Sequence, residues 1–249
     1  LTAGTSNFRA GVNAGNSIQS GGSYNTVVGD EAGTAITTGD ENTFVGYVAG
    51  DATTTASGNT AIGRRALTAN TTGTQNTALG RQSLRDNTTA SYNTAVGNDA
   101  LAANTTGTGT AVGFAALKDN TTGAANIAIG SNTLDANTTG SYNSAAGTLA
   151  LTANTTGSSN TAFGYVALAA NTTGAGNTAV GQGSLDANTT AANNTSLGYR
   201  SLTSNTTGSE NTGLGKDALY SNTVGAYNTA LGEGALYTNV DGSMSVAVG

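Results

Sequence analysis

The chain has 249 residues, 37 of them Gly, a net charge of −6, and only 9% charged residues, against roughly 25% in an average globular protein. Pro, Cys, His and Trp are absent, which excludes a disulfide scaffold, a thiol nucleophile, a cysteine zinc site and histidine chemistry. With 8 Lys plus Arg, nucleic acid and anionic membrane surfaces are poor partners, and no apolar run approaches the roughly 18 residues of a membrane span.

A short phrase of the form N-T-A-V-G recurs from end to end. Its closing glycines are Gly11, Gly29, Gly46, Gly63, Gly80, Gly97, Gly113, Gly130, Gly147, Gly164, Gly181, Gly198, Gly215, Gly232 and Gly249. The spacing is 17 residues, except 18 at the first step and 16 between Gly97 and Gly113. A helical hairpin repeat needs more than about 30 residues. A period of 17 suits one turn of a β-solenoid, so the fold expected is all-β: a parallel β-solenoid of about fourteen coils. Such strict register argues against the disorder that Gly-, Ser- and Thr-rich chains often show. The chain opens at Leu1 and stops inside the phrase SVAVG, and reads as a piece of something longer.

In chain order, residues 1–58 form variant coils. The fourth residue after the anchor is Gly15, Gly33 and Gly50, and the middle strand residue is Arg9, Val27 and Phe44. Ile18 and Ile36 replace the first Asn of the turn. An altered cross-section, a transition or a cap, is expected there. Residues 59–249 form regular coils, and the whole is expected to be one continuous solenoid. In eleven successive coils the fourth residue after the anchor is Leu, from Leu67 to Leu236. The residue before the anchor is Val, Ile, Leu or Phe in most coils. The turn N-T-T-G suits Asn, which bonds backbone or adopts the left-handed region, and Gly, which supplies positive φ. Stacked Asn side chains can also bond one another in ladders.

Alternation along a strand puts Thr and Val of N-T-A-V-G on one face and Ala on the other. With Val turned inward, the outward rank is Ala61, Ala78, Ala95, Ala111, Ala128, Ala145, Ala162, Ala179, Ala230 and Ala247, with Ser196 and Gly213 between. So uniform a strip of small residues reads as an oligomer interface, and two sizeable apolar residues per coil make a thin core for a lone chain. A homotrimer is expected.

The phrases NTAIGRRAL, NTALGRQSL, NTAVGNDAL and NTAFGYVAL resemble the head repeats of trimeric autotransporter adhesins of the YadA type, and also repeats in phage tail fibres. The resemblance covers nearly the whole chain. It implies a left-handed β-roll, a trimer, and a place outside the cell, on a cell surface or virion. The period is longer than in those heads, and these 249 residues carry no recognisable anchor, stalk heptads or chaperone domain, as expected of a piece of something longer.

No catalytic or metal constellation stands out. Asp86, Asp119, Asp135, Asp186 and Asp217 occupy variable slots with no calcium-loop spacing, and no cofactor is expected. The N-T-T triplets match the glycosylation acceptor pattern but follow from the turn. Aromatic residues in variable slots, Phe114, Tyr165, Tyr199, Tyr220 and Tyr237, are candidates for binding a host-surface glycan or protein receptor. The function expected is a non-enzymatic structural segment of an extracellular trimeric fibre or adhesin that mediates attachment. The alternatives are an ice-binding solenoid, for which a flat T-x-T array is not evident, and a self-assembling surface filament.

Overall fold

The computed structural model describes residues 5–249. The chain divides into two compact units, Leu1–Gly123 and Ala124–Gly249. The first holds β1 (Phe8–Ala10), β2 (Thr26–Val28), β3 (Thr43–Val45), β4 (Thr60–Ile62), β5 (Thr77–Leu79), β6 (Thr94–Val96) and β7 (Gly109–Val112). The second holds β8 (Asn126–Ile129), β9 (Ser144–Ala146), β10 (Thr161–Phe163), β11 (Thr178–Val180), β12 (Thr195–Leu197), β13 (Thr212–Leu214), β14 (Thr229–Leu231) and β15 (Val246–Val248). In each unit every strand pairs in parallel with the next, one coil on, as Thr77 with Thr94 and Thr178 with Thr195. The described residues contain no helix. The protein is a parallel β-solenoid whose fifteen strands mark about fourteen coils.

Strands of three residues cannot hold a sheet alone. Most backbone bonds outside the strands also run from coil to coil: Leu84 N–H donates to Ala100 O at 3.0 Å, Thr71 N–H to Thr88 O at 2.8 Å, and Gln82 N–H to Arg64 O at 3.0 Å. The anchor glycines adopt φ between 118° and 147°, a region closed to L side chains. A Cβ at Gly80 would also sit 2.5 Å from the carbonyl oxygen of Gly97. Both facts demand glycine once per coil, which sets the period.

Two asparagine ladders run inside the coils. At the strand entry, Asn42 Nδ2 donates to Asn25 Oδ1 at 3.1 Å, Asn59 to Asn42 at 3.2 Å and Asn76 to Asn59 at 3.2 Å. In the N-T-T turn, Asn87 donates to Asn70 at 2.9 Å and Asn104 to Asn87 at 3.0 Å. The second unit repeats both, as Asn177 to Asn160 at 3.2 Å and Asn171 to Asn154 at 2.8 Å. Each turn Asn also donates to a carbonyl three residues on. These side chains are fully buried, and pairing them removes the penalty for burying amides.

The 16-residue coil interrupts one ladder. Gly109 stands where Asn stands elsewhere; its N–H donates to Asn93 Oδ1 at 2.8 Å. Asn93 Nδ2, buried, has no hydrogen-bond partner. In the preceding coil Asn76 Nδ2 reaches both Asn59 Oδ1 and Ala90 O.

Candidate interaction surface

The strands have the opposite phase to the one expected from sequence. Ala61, Ala78, Ala95, Ala111, Ala128, Ala145, Ala162, Ala179 and Ala230 are enclosed within their own coils, at most 1% exposed, and only Ala247, in β15, is half-buried. They cannot be an interface between copies. The reason lies two residues earlier. Asn76 points inward to its ladder, and Ala78, two residues on, shares its face. Leu84 has taken the remaining interior. A Cβ built at Gly213, in the Ala rank, falls 3.4 Å from Leu202 Cδ1 and 2.6 Å from Ser201 Oγ, so a methyl group fills the space left. Where Ser196 replaces Ala, its hydroxyl joins a closed network with Ser184 Oγ at 2.7 Å and Ser201 O at 2.8 Å.

The outward rank is therefore the apolar one. Ile62, Leu79 and Val112 in the first unit, and Ile129, Phe163, Leu197 and Leu231 in the second, are 37–49% exposed. The second outward rank, two residues before, is mostly Thr: Thr60, Thr77, Thr94 and Thr110 in the first unit, Thr161, Thr178, Thr195 and Thr212 in the second. Neither rank holds a charged residue in any strand. Each unit thus presents a narrow, uncharged face of aliphatic and Thr side chains, one coil apart, about 4.8 Å. Soluble monomers rarely leave so continuous an apolar strip open.

The five aromatic candidates are only partly brought together. Phe114, in the first unit, and Tyr165, in the second, are exposed and take no part in any ring stack. Tyr220 and Tyr237 stack with ring centres 4.9 Å apart and planes 5° from parallel. Arg200, which sequence reasoning passed over, lies over the Tyr220 ring of this pair. Its guanidinium is 4.6 Å from the Tyr220 ring centre and 5.9 Å from that of Tyr199, and it donates to the Tyr220 hydroxyl. The signal was a spacing of 20 residues, one coil plus the three steps that separate two adjacent surface slots.

The titratable groups are dispersed. Burial pushes the Asp186 carboxyl above its ordinary range. Lys216 Nζ meets Glu233 Oε1 at 2.6 Å on the open surface; their shared hydrogen bond raises the lysine and lowers the glutamate. Among the described residues no three acidic, His or Cys side chains converge on a point that would hold a metal. No protein-family model and no curated protein matches this sequence.

Proposed function

We propose that the chain is a rigid structural segment of an extracellular trimeric fibre or adhesin, acting by mechanical presentation rather than catalysis. The observation that carries this reading is the uncharged aliphatic rank on the outer sheet face. Burying such a rank against copies of itself gains about 25 cal/mol per Å² of apolar area. A stripe one side chain wide suits an axis shared by several copies, and three is the number that the resemblance to YadA-type heads implies. The coil-to-coil bonding and the two Asn ladders supply stiffness along the axis and leave few backbone groups open to proteases. Attachment to a host-surface glycan or protein would use the variable slots, with Tyr199, Arg200, Tyr220 and Tyr237 the best assembled set.

The ice-binding alternative requires an even face, and both outward ranks are uneven: Phe163 pairs directly with Ala146 in the apolar rank, and Ile127 with Ser144 in the Thr rank.

Light scattering on the chain tests the assembly. The expected mass is three times the chain mass of 24.2 kDa. Leu79→Glu together with Leu197→Glu should reduce it to a monomer that keeps its β circular dichroism. A stable monomer of the unaltered chain sinks the proposal.

A further inference from the structure

The sequence contains eleven Asn-x-Ser/Thr tripeptides, nine in N-T-T turns and two overlapping at Asn193 and Asn194. This tripeptide is the acceptor for N-linked sugars. By sequence the eleven are equivalent; by structure they are not. The nine turn Asn and Asn194 are fully buried. Their amides are engaged: Asn188 Nδ2 donates to Asn171 Oδ1 at 2.9 Å and Ala191 O at 3.1 Å, and Asn194 Nδ2 to Asn177 Oδ1 at 3.3 Å.

Asn193 alone is exposed. It sits in the left-handed region at φ 58°, in the slot just before the inward ladder residue, so its carboxamide belongs to neither ladder. Its backbone is held, N–H to Ala175 O at 3.0 Å. The same slot one coil earlier is Gly176. A Cβ there would come within 2.6 Å of Asn193 Oδ1, so the glycine leaves the carboxamide uncovered. The third acceptor residue, Thr195, opens β12 on its outward face and is also exposed. A transferase can reach both side chains it must read without opening the coil.

We propose that the folded chain accepts a single N-linked sugar, at Asn193, and that folding protects the other ten acceptor tripeptides. The donor is a nucleotide-activated hexose. Asn193 Nδ2 forms the bond to the anomeric carbon, and the bond from that carbon to the diphosphate oxygen breaks. The electron pair leaves on the nucleoside diphosphate, and the amide proton passes to the transferase base. This inference does not rest on the fibre reading; because Thr195 lies in the outer face that reading would bury, it applies to the single folded chain, before any assembly.

The test treats the folded full chain with a soluble N-glycosyltransferase and UDP-glucose. The enzyme is one chosen because it modifies both Asn188 and Asn193 in a peptide of residues 186–198. Intact mass and peptide mapping should show one hexose, on Asn193, at near-complete occupancy. Asn193→Gln and Thr195→Val should each abolish transfer while leaving the circular dichroism and thermal melt unchanged. Hexose on any ladder Asn of the folded chain overturns the proposal, and so does a folded chain that takes up none.

Discussion

The coils within residues 5–58 and those that follow fill the same interior in two opposite ways. In the regular coils a small strand residue, such as Ala78, faces Leu84 at the corner. In the early coils the strand residue is large, Val27 or Phe44, and the corner residue is Gly33 or Gly50. A Cβ built on Gly33 falls 2.7 Å from Ile36 Cδ1 and 2.8 Å from Val27 Cγ1; on Gly50 it falls 2.5 Å from two ring carbons of Phe44. The backbone is unchanged: the three corner glycines have φ of 53–58°, the eleven corner leucines 49–55°. The coil therefore conserves a backbone path and an interior volume, not a residue. Leu tolerates the left-handed corner at about 1–2 kcal/mol of strain, offset by about 1.5–3 kcal/mol from burying its side chain.

Exchanging the two solutions within one coil is the severest test of that equivalence. Phe44→Ala alone should destabilise by about 3–5 kcal/mol through the cavity it leaves. Gly50→Leu alone should destabilise through its clash with the Phe44 ring. The double variant recreates the regular pairing, and urea denaturation should give a favourable interaction energy of about 0.5–3 kcal/mol. If the two losses simply add, the cross-sections are not interchangeable.

A smaller effect separates strain from burial at the corner. Leu84→Ala should lose about 2–5 kcal/mol. Leu84→Gly removes one more carbon but relieves the left-handed strain, about 1–2 kcal/mol. The glycine variant should therefore unfold at the same urea concentration as the alanine variant, or at a higher one. A clearly weaker glycine variant would mean that the φ of Leu84 stores no strain.

The difference between these regions was visible in the sequence, and so were the period, the anchors and the Leu corner, because each repeats at a fixed spacing. The direction of the strand was not. Ala and Val in N-T-A-V-G are both apolar, and the larger one is the natural choice for a core. The deciding residue is Asn, two positions before Ala. A buried Asn ladder forces Ala inward, and an interior already holding Leu has room for nothing larger. The assembly of Arg200 with Tyr220 and Tyr237 was hidden for another reason: it joins different slots of different coils, and a slot-by-slot reading compares each position only with its own copies.

The smallest effect lies where one solution gives way to the other. In the turn position, Ile36 is followed one coil on by Thr53 and then by Asn70, where the inner turn ladder begins. Thr53 is fully buried and its hydroxyl has no partner; it is neither the aliphatic side chain of one region nor the ladder amide of the other. An unsatisfied buried hydroxyl costs about 1–3 kcal/mol, so Thr53→Val, nearly isosteric, should raise the melting temperature, with a gain near the lower end of that range. The same substitution at Thr133 is the control. That residue is equally buried, but its hydroxyl donates to Gly147 O at 2.6 Å, so Thr133→Val should lower the melting temperature by a similar amount. Opposite signs from one chemical change would locate the difference in the missing partner at the junction. Equal signs would mean that the side-chain volume at these positions, rather than the hydroxyl, decides the outcome.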